Sequence, residues 1–256
     1  MRRRTFLGTV LAAGAAIAAD VPTRAAKVVK LFKSPDGHPN ALETVQEGFW
    51  IGEQTTDAAH LVSFDGKLIR SVPTESSNTS GIAFGGGYLW MAANGKAIGR
   101  PARPTDAQAG HGEVVQVDPA NGKTVKRFPV PGGGGVHGLV YAEDTLWITS
   151  LKLKKLSQVD PKSFRVLHQI PVPFDRAHGL DFDGPDIWCM FSTDHVIVKL
   201  RRTDGQVLEK ITIGKDDPDP HGMCRYNGHL YYCDAGIAPT GISSNSPYTG
   251  YISRID

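Results

Sequence analysis

The short segments GGVHGLV, DRAHGLD and PDPHGMC, at residues 134–140, 175–181 and 218–224, place one histidine-glycine-aliphatic step at three places in the second half of the chain. Three neutral imidazoles brought to one point, with open positions opposite them, suit Zn²⁺, Fe²⁺ or Cu²⁺. His137, His178 and His221 are therefore candidate metal ligands, and His221 is also a candidate acid–base group. The bland alternative is a repeated bend that needs a small hydrogen-bonding side chain. Asn40 and Ser80 occupy the corresponding place in two earlier copies, so the bend does not itself demand histidine.

A second recurring position lies three residues after an aromatic, where Glu53, Ala93, Ser150, Phe191 and Asp234 stand. Glu53 and Asp234 are candidates for a general base, for partners that orient the histidines, or for further metal ligands. Solvated loop carboxylates are the competing reading. Asp219 belongs to an acidic run with Asp216 and Asp217 just before His221. Such runs are usually solvated.

For these residues to meet, the chain must be a closed repeat, and internal periodicity supplies one. Each unit reads as a glycine-aliphatic step, a turn, an aromatic strand, a strand ending in a residue such as Asp160, and a fourth strand. The aromatic recurs as Trp50, Trp90, Trp147, Trp188 and Tyr231. The marker residues Asn40, Ser80, His137, His178 and His221 are separated by 40, 57, 41 and 43 residues. The long interval holds a Pro/Ala/Gly-rich insertion, 95–110. The fifth copy ends at Asp256 after its third strand, and Lys27 to Phe32 matches the missing fourth.

These features predict an all-β, five-bladed β-propeller of four-stranded blades over residues 27–256, its ring closed by the N-terminal strand. Turn pairs such as Asp65-Gly66 and Asn227-Gly228 fit antiparallel hairpins. A six-bladed ring would need a degenerate blade inside 95–110 plus 235–247, segments too short and too poor in β-branched residues. By propeller symmetry the three histidines point toward one axis. Asn40 and Ser80 complete the ring, with His38 nearby, as substrate contacts.

Composition narrows the function. With 28 Lys and Arg against 26 Asp and Glu the net charge is +2, and no basic stripe interleaved with aromatics marks a nucleic-acid surface. The N-terminus, MRRRTFLGTVLAAGAAIAAD, has a basic start and a short Ala/Gly-rich run, which predicts an export signal over residues 1–26 rather than a membrane span. Arg3-Arg4-Thr5-Phe6-Leu7 resembles a twin-arginine core, and an ordinary secretory signal is the alternative. The expected location is periplasmic or secreted. Cys189, Cys224 and Cys233 sit in apolar runs and read as buried thiols, with one Cys224–Cys233 bridge compatible with an oxidising compartment.

Pro220-His221-Gly222-Met223-Cys224 and the repeated HGL, LW and D-P-x-x-G pattern resemble the streptogramin lyases, the virginiamycin B lyase family. The resemblance covers nearly all of 27–256. It implies a lyase that opens a lactone C–O bond by elimination, with a histidine moving the proton and Mg²⁺ held by carboxylates. Carried over by position, His221 is that histidine and Asp219 matches one carboxylate; Asp234 falls one residue from the other. His137 and His178 are additional to the pattern and point toward a transition metal.

The leading expectation is an exported metal-dependent enzyme, a C–O lyase or a lactone or ester hydrolase, acting on a small molecule at the channel mouth. The alternative is a non-catalytic periplasmic binding or scaffold propeller, or a metal-carrying accessory protein. A lectin would repeat its contact residues in every blade, and this ring differs from blade to blade.

Overall fold

The computed structural model describes residues 21–236 and 246–256. Five sheets of antiparallel strands are arranged as blades, and among the described residues the only helical element is a single 3₁₀ turn at Leu151–Leu153. The inner strands are Pro39–Val45, Thr79–Gly85, Leu139–Ala142, Ala177–Asp183 and Met223–Tyr226. Each is followed outward by three further strands, as the repeat predicts. In the fifth blade the fourth strand is Val28–Lys33, paired antiparallel with Tyr251–Ile255. That pairing closes the ring with the N-terminal segment.

One strand was not expected. Thr23–Ala25 pairs parallel with Val207–Thr212 on the outer edge of blade four, making that sheet five-stranded. These three residues fall inside the stretch 1–26 assigned to the leader; residues 1–20 of that stretch lie outside the described residues.

The apolar alternation within each strand fills five separate cores, one between each pair of neighbouring blades. Trp50, Trp90, Trp147, Trp188 and Tyr231, the aromatic marker of every repeat, are all buried there. The closing core joins Leu42, Phe49 and Ile51 of blade one to Cys224, Tyr231 and Cys233 of blade five. The rings of Phe49 and Tyr231 lie 5.1 Å apart across that seam. All three cysteines are buried free thiols, so no Cys224–Cys233 bridge is present. Burial raises the pKa of each. Among the described residues no helix is long and apolar enough to cross a membrane.

The glycine that follows four of the five marker residues, Ser80, His137, His178 and His221, has a packing reason. A Cβ on Gly81 would stand 1.9 Å from the carbonyl oxygen of His137, and one on Gly138 would stand 1.8 Å from that of His178. Neighbouring inner strands therefore approach backbone to backbone around the axis at these glycines, while blade one carries Ala41 at the equivalent place. That close approach is what forces the side chains of the preceding residues together.

Candidate functional site at the channel mouth

The marker residues are aimed by irregularities in the pairing. Inner-strand register shifts between Pro39 and Ala41, between Thr79 and Gly81, and between Ala177 and Leu180, which puts Asn40, Ser80 and His178 at bulges. A bulge turns a side chain away from the ordinary alternation, here toward the axis. In blade three the same bend is held by Thr149 Oγ1, which accepts from the backbone N–H of His137 and of Gly138. In blade five it is held by exchange between His221, Gly222 and Cys233 main-chain groups.

The three histidines converge. The rings of His137 and His178 meet edge to face with centroids 4.4 Å apart, and those of His178 and His221 meet the same way at 5.3 Å. They are 6%, 0% and 1% exposed. Burial drives all three pKa values down, assisted by the Arg176 charge. For His137 and His178 the drop is large, so both are neutral imidazoles near pH 7. At His221 the Asp219 carboxylate opposes the drop.

Hydrogen bonds assign the protons. The backbone N–H of Val136 donates to Asn94 Oδ1, which turns the amide so that Asn94 Nδ2 donates to His137 Nε2 at 3.0 Å. His137 Nε2 is thus an acceptor, and its ring proton sits on Nδ1, a buried atom with no partner. His221 Nδ1 lies 3.2 Å from the Asp219 carbonyl oxygen. It donates there, leaving Nε2 as a lone pair. Among the described residues neither ring nitrogen of His178 has a partner, although both are buried. An unsatisfied buried polar atom costs roughly 1–3 kcal/mol.

This arrangement does not reproduce the metal ligation expected from the sequence. Among the described residues no three His, Cys, Asp or Glu side chains are placed to hold one ion. The rings pack edge against face, and two of the acceptor or donor nitrogens are committed to Asn94 and to the Asp219 carbonyl. The carboxylate pair implied for Mg²⁺ is likewise not formed. Asp234 is fully buried and accepts from the Asp219 N–H, the Gly236 N–H and Ser246 Oγ, while Asp219 faces His195 Nε2 at 3.2 Å.

Glu53 occupies the position equivalent to Asp234 and does equivalent work. It is fully buried and accepts from the N–H groups of His38, Thr55 and Thr56 and from the Thr55 hydroxyl. With its oxygens occupied it organises the loop and is not placed for proton transfer. Asp234 positions the Asp219 backbone, and through it His221. His38 is tied down too, its Nδ1 2.8 Å from the Ala235 carbonyl. Asn40 and Ser80 complete the ring but spend their donors locally: Asn40 Nδ2 on Thr79 O and Ser80 Oγ, and Ser80 Oγ on Asn78 O. Among the described residues Asn40 Oδ1 is a buried acceptor without a partner.

Sequence reasoning missed three residues here. Arg176 and Asn94 lie in connecting loops and fall outside the repeat, and His195 has no counterpart in other blades. Asp219 holds His195 above its ordinary pKa. Burial pushes Asp219 up, but the His195 hydrogen bond and the surrounding cations bring it below the usual carboxylate value. His195, Lys215, Asp217, Asp219 and Tyr248 line a cavity of about 380 Å³ on the same face. Residues 237–245, which follow Asp234 on this side, lie outside the described residues. The 95–110 insertion is clamped down: Arg100 bonds Asp57 and Asp106, and Arg103 bonds Asp106 and the Thr74 carbonyl. Glu43 and Asp181, three residues further along their inner strands, form a second polar pair. Burial raises both pKa values, Asp181 to about 7.

No family model and no curated protein matches the sequence. The fold does match solved structures. A glutaminyl cyclase from Myxococcus xanthus superposes with a TM-score of 0.68 at 11% identity, over 93% of this chain and 98% of that one. A streptogramin B lyase gives 0.52 at 12% identity, over 90% and 97%. Virginiamycin B lyase from Staphylococcus aureus gives 0.50 at 18% identity, over 88% and 68%. This chain has the fold of the streptogramin lyase and glutaminyl cyclase propellers. At such identities the likeness concerns the fold, and chemistry has to be argued from the site.

Proposed function

We propose that the protein is an exported β-propeller enzyme whose channel-mouth histidines move protons on a small substrate. The reaction class is C–O elimination next to a carbonyl, or hydrolysis of a lactone or ester. The observation that carries this reading is His178, a fully buried imidazole with both nitrogens unpartnered, in contact with two further neutral imidazoles. A fold that only needed to fill this space would do so more cheaply with an apolar side chain.

His221 is the base. Its Nδ1 is fixed on the Asp219 carbonyl, and its Nε2 lone pair takes the substrate proton. The His137 Nδ1–H is a donor for oxygen charge that develops as the C–O bond opens. His178, between the two, relays the substrate proton. One of its nitrogens accepts it from the His221 imidazolium while the N–H of the other passes its own proton to the leaving oxygen, so all three rings end neutral. Enclosure from bulk water strengthens each of these interactions. No step runs through a metal ion, because the three rings do not present donors to one point.

The test is turnover of a panel of lactones, esters and β-acyloxy carbonyl compounds by the purified protein and by His221→Gln, with elemental analysis of both. Turnover lost in a folded His221→Gln protein without bound metal supports the reading. Turnover that follows bound Zn, Fe, Cu or Mg replaces it with the metal-dependent enzyme. The second reading, a non-catalytic binding or scaffold propeller, is favoured by the near-complete burial of the ring residues. It would be left standing if no member of the panel were turned over.

A further inference from the structure

Arg176 stands two residues before His178, half-buried in the loop immediately preceding the blade-four inner strand. Among the described residues its guanidinium makes no hydrogen bond or ion pair. The neighbouring acids are engaged elsewhere: Asp175 pairs with Lys154 Nζ at 2.5 Å, and Asp219 faces His195 Nε2 at 3.2 Å. The Asp219 charge reaches Arg176 only through space, with no direct contact, and a half-buried cation without a direct partner is costly. Beside it are the orphan His137 Nδ1–H and the two orphan nitrogens of His178. A free cationic fork next to unpartnered donors describes one half of an anion site.

We propose that the channel mouth binds a small organic carboxylate, held by the Arg176 guanidinium with the Nδ1–H of His137 as a further donor, so that the substrate of the histidine site is itself a carboxylic acid. The planar guanidinium presents parallel N–H groups that match two carboxylate oxygens. The rings lie only 4.4 and 5.3 Å apart, which limits the group that reaches them to a small one. Arg176 already acts electrostatically on all three histidines, holding their protonation down; a bound carboxylate cancels that charge. This inference rests on the proposed histidine site for its catalytic meaning, but the binding itself does not require catalysis.

The experiment is a titration of the full protein with acetate, and separately with inorganic phosphate, at constant ionic strength, followed by the imidazole carbon–proton resonances of His137, His178 and His221. Acetate is expected to give saturable shifts at His137 and His178. In Arg176→Gln the affinity should fall at least tenfold, with partial recovery in Arg176→Lys. His221→Gln should keep acetate binding, which separates the anion site from the base; a parent protein that binds acetate but turns over no member of the substrate panel would sink the catalytic reading and leave the anion site intact. Thermal melts of each variant separate lost binding from lost folding. The proposal is overturned if acetate gives no saturable shift, if phosphate alone does, or if folded Arg176→Gln binds acetate as well as the parent.

Discussion

Asn94 Nδ2 donates to His137 Nε2 across 3.0 Å, joining a loop of blade two to the channel ring of blade three. That contact decides which nitrogen of His137 keeps the proton, because the amide is itself oriented by the Val136 N–H. Replacing Asn94 by Asp retains the acceptor for Val136 but removes the donor. The expected outcome is a proton moved onto Nε2 of His137, visible as an exchange of the protonated and unprotonated ¹⁵N signatures of its ring. A parent protein already protonated at Nε2 would refute the assignment of roles to the three histidines.

The histidine-glycine step makes a second claim, about backbone rather than side chain. Gly138→Ala sets a Cβ 1.8 Å from the His178 carbonyl oxygen, so the inner strands of blades three and four have to part. The loss should be about 3 kcal/mol or more in urea unfolding. Gly87→Ala is the control: its φ is +84° but its surroundings are open, so only left-handed strain of about 1–2 kcal/mol is expected. Equal effects at the two sites would mean that the inner strands do not need this contact.

The ring of blades was legible because period, aromatic marker and turn residues all repeat, and each is a local signal. The convergence of His137, His178 and His221 followed from symmetry alone. What the three rings do to one another was not legible, since it depends on bulges at Asn40, Ser80 and His178 and on an exchange between loops of different blades. Glu53 and Asp234 were correctly paired as equivalents, yet their carboxylates turn inward to loop N–H groups instead of toward a substrate. Arg176 and Asn94 carry no repeat and no motif, so only the folded chain reveals them.

Acid should weaken the clamp on the 95–110 insertion. The Arg100 and Arg103 guanidinium groups hold Asp106 down to about 2, against an ordinary carboxylate value near 3.9. A carboxyl depressed in the folded state contributes its stability above the unfolded pKa and loses it as pH falls through the folded one. The window is therefore about pH 4 down to about pH 2, and the contribution is about 2 kcal/mol. Asp106→Asn should be destabilised by that order at pH 7 and should differ little from the parent near pH 2. Denaturant midpoints at the two pH values check it, and a difference that persists at low pH would assign the effect to packing.

Ring closure can be separated from the additional N-terminal strand. Thr23–Ala25 adds only an exposed parallel edge to blade four, whereas Val28–Lys33 supplies the fourth strand of blade five and places Phe32 against the closing core. A chain beginning at residue 27 keeps the closure and should melt cooperatively, within a few degrees of one beginning at residue 21. A chain beginning at residue 34 leaves Tyr251–Ile255 as an open edge and uncovers the seam around Phe49, conditions that favour edge-to-edge association. It should lose its cooperative melt and scatter light at micromolar concentration. If it instead remained monomeric with an unchanged midpoint, the closing strand would be an ornament of the ring, and the inner cores alone would hold the channel histidines in place.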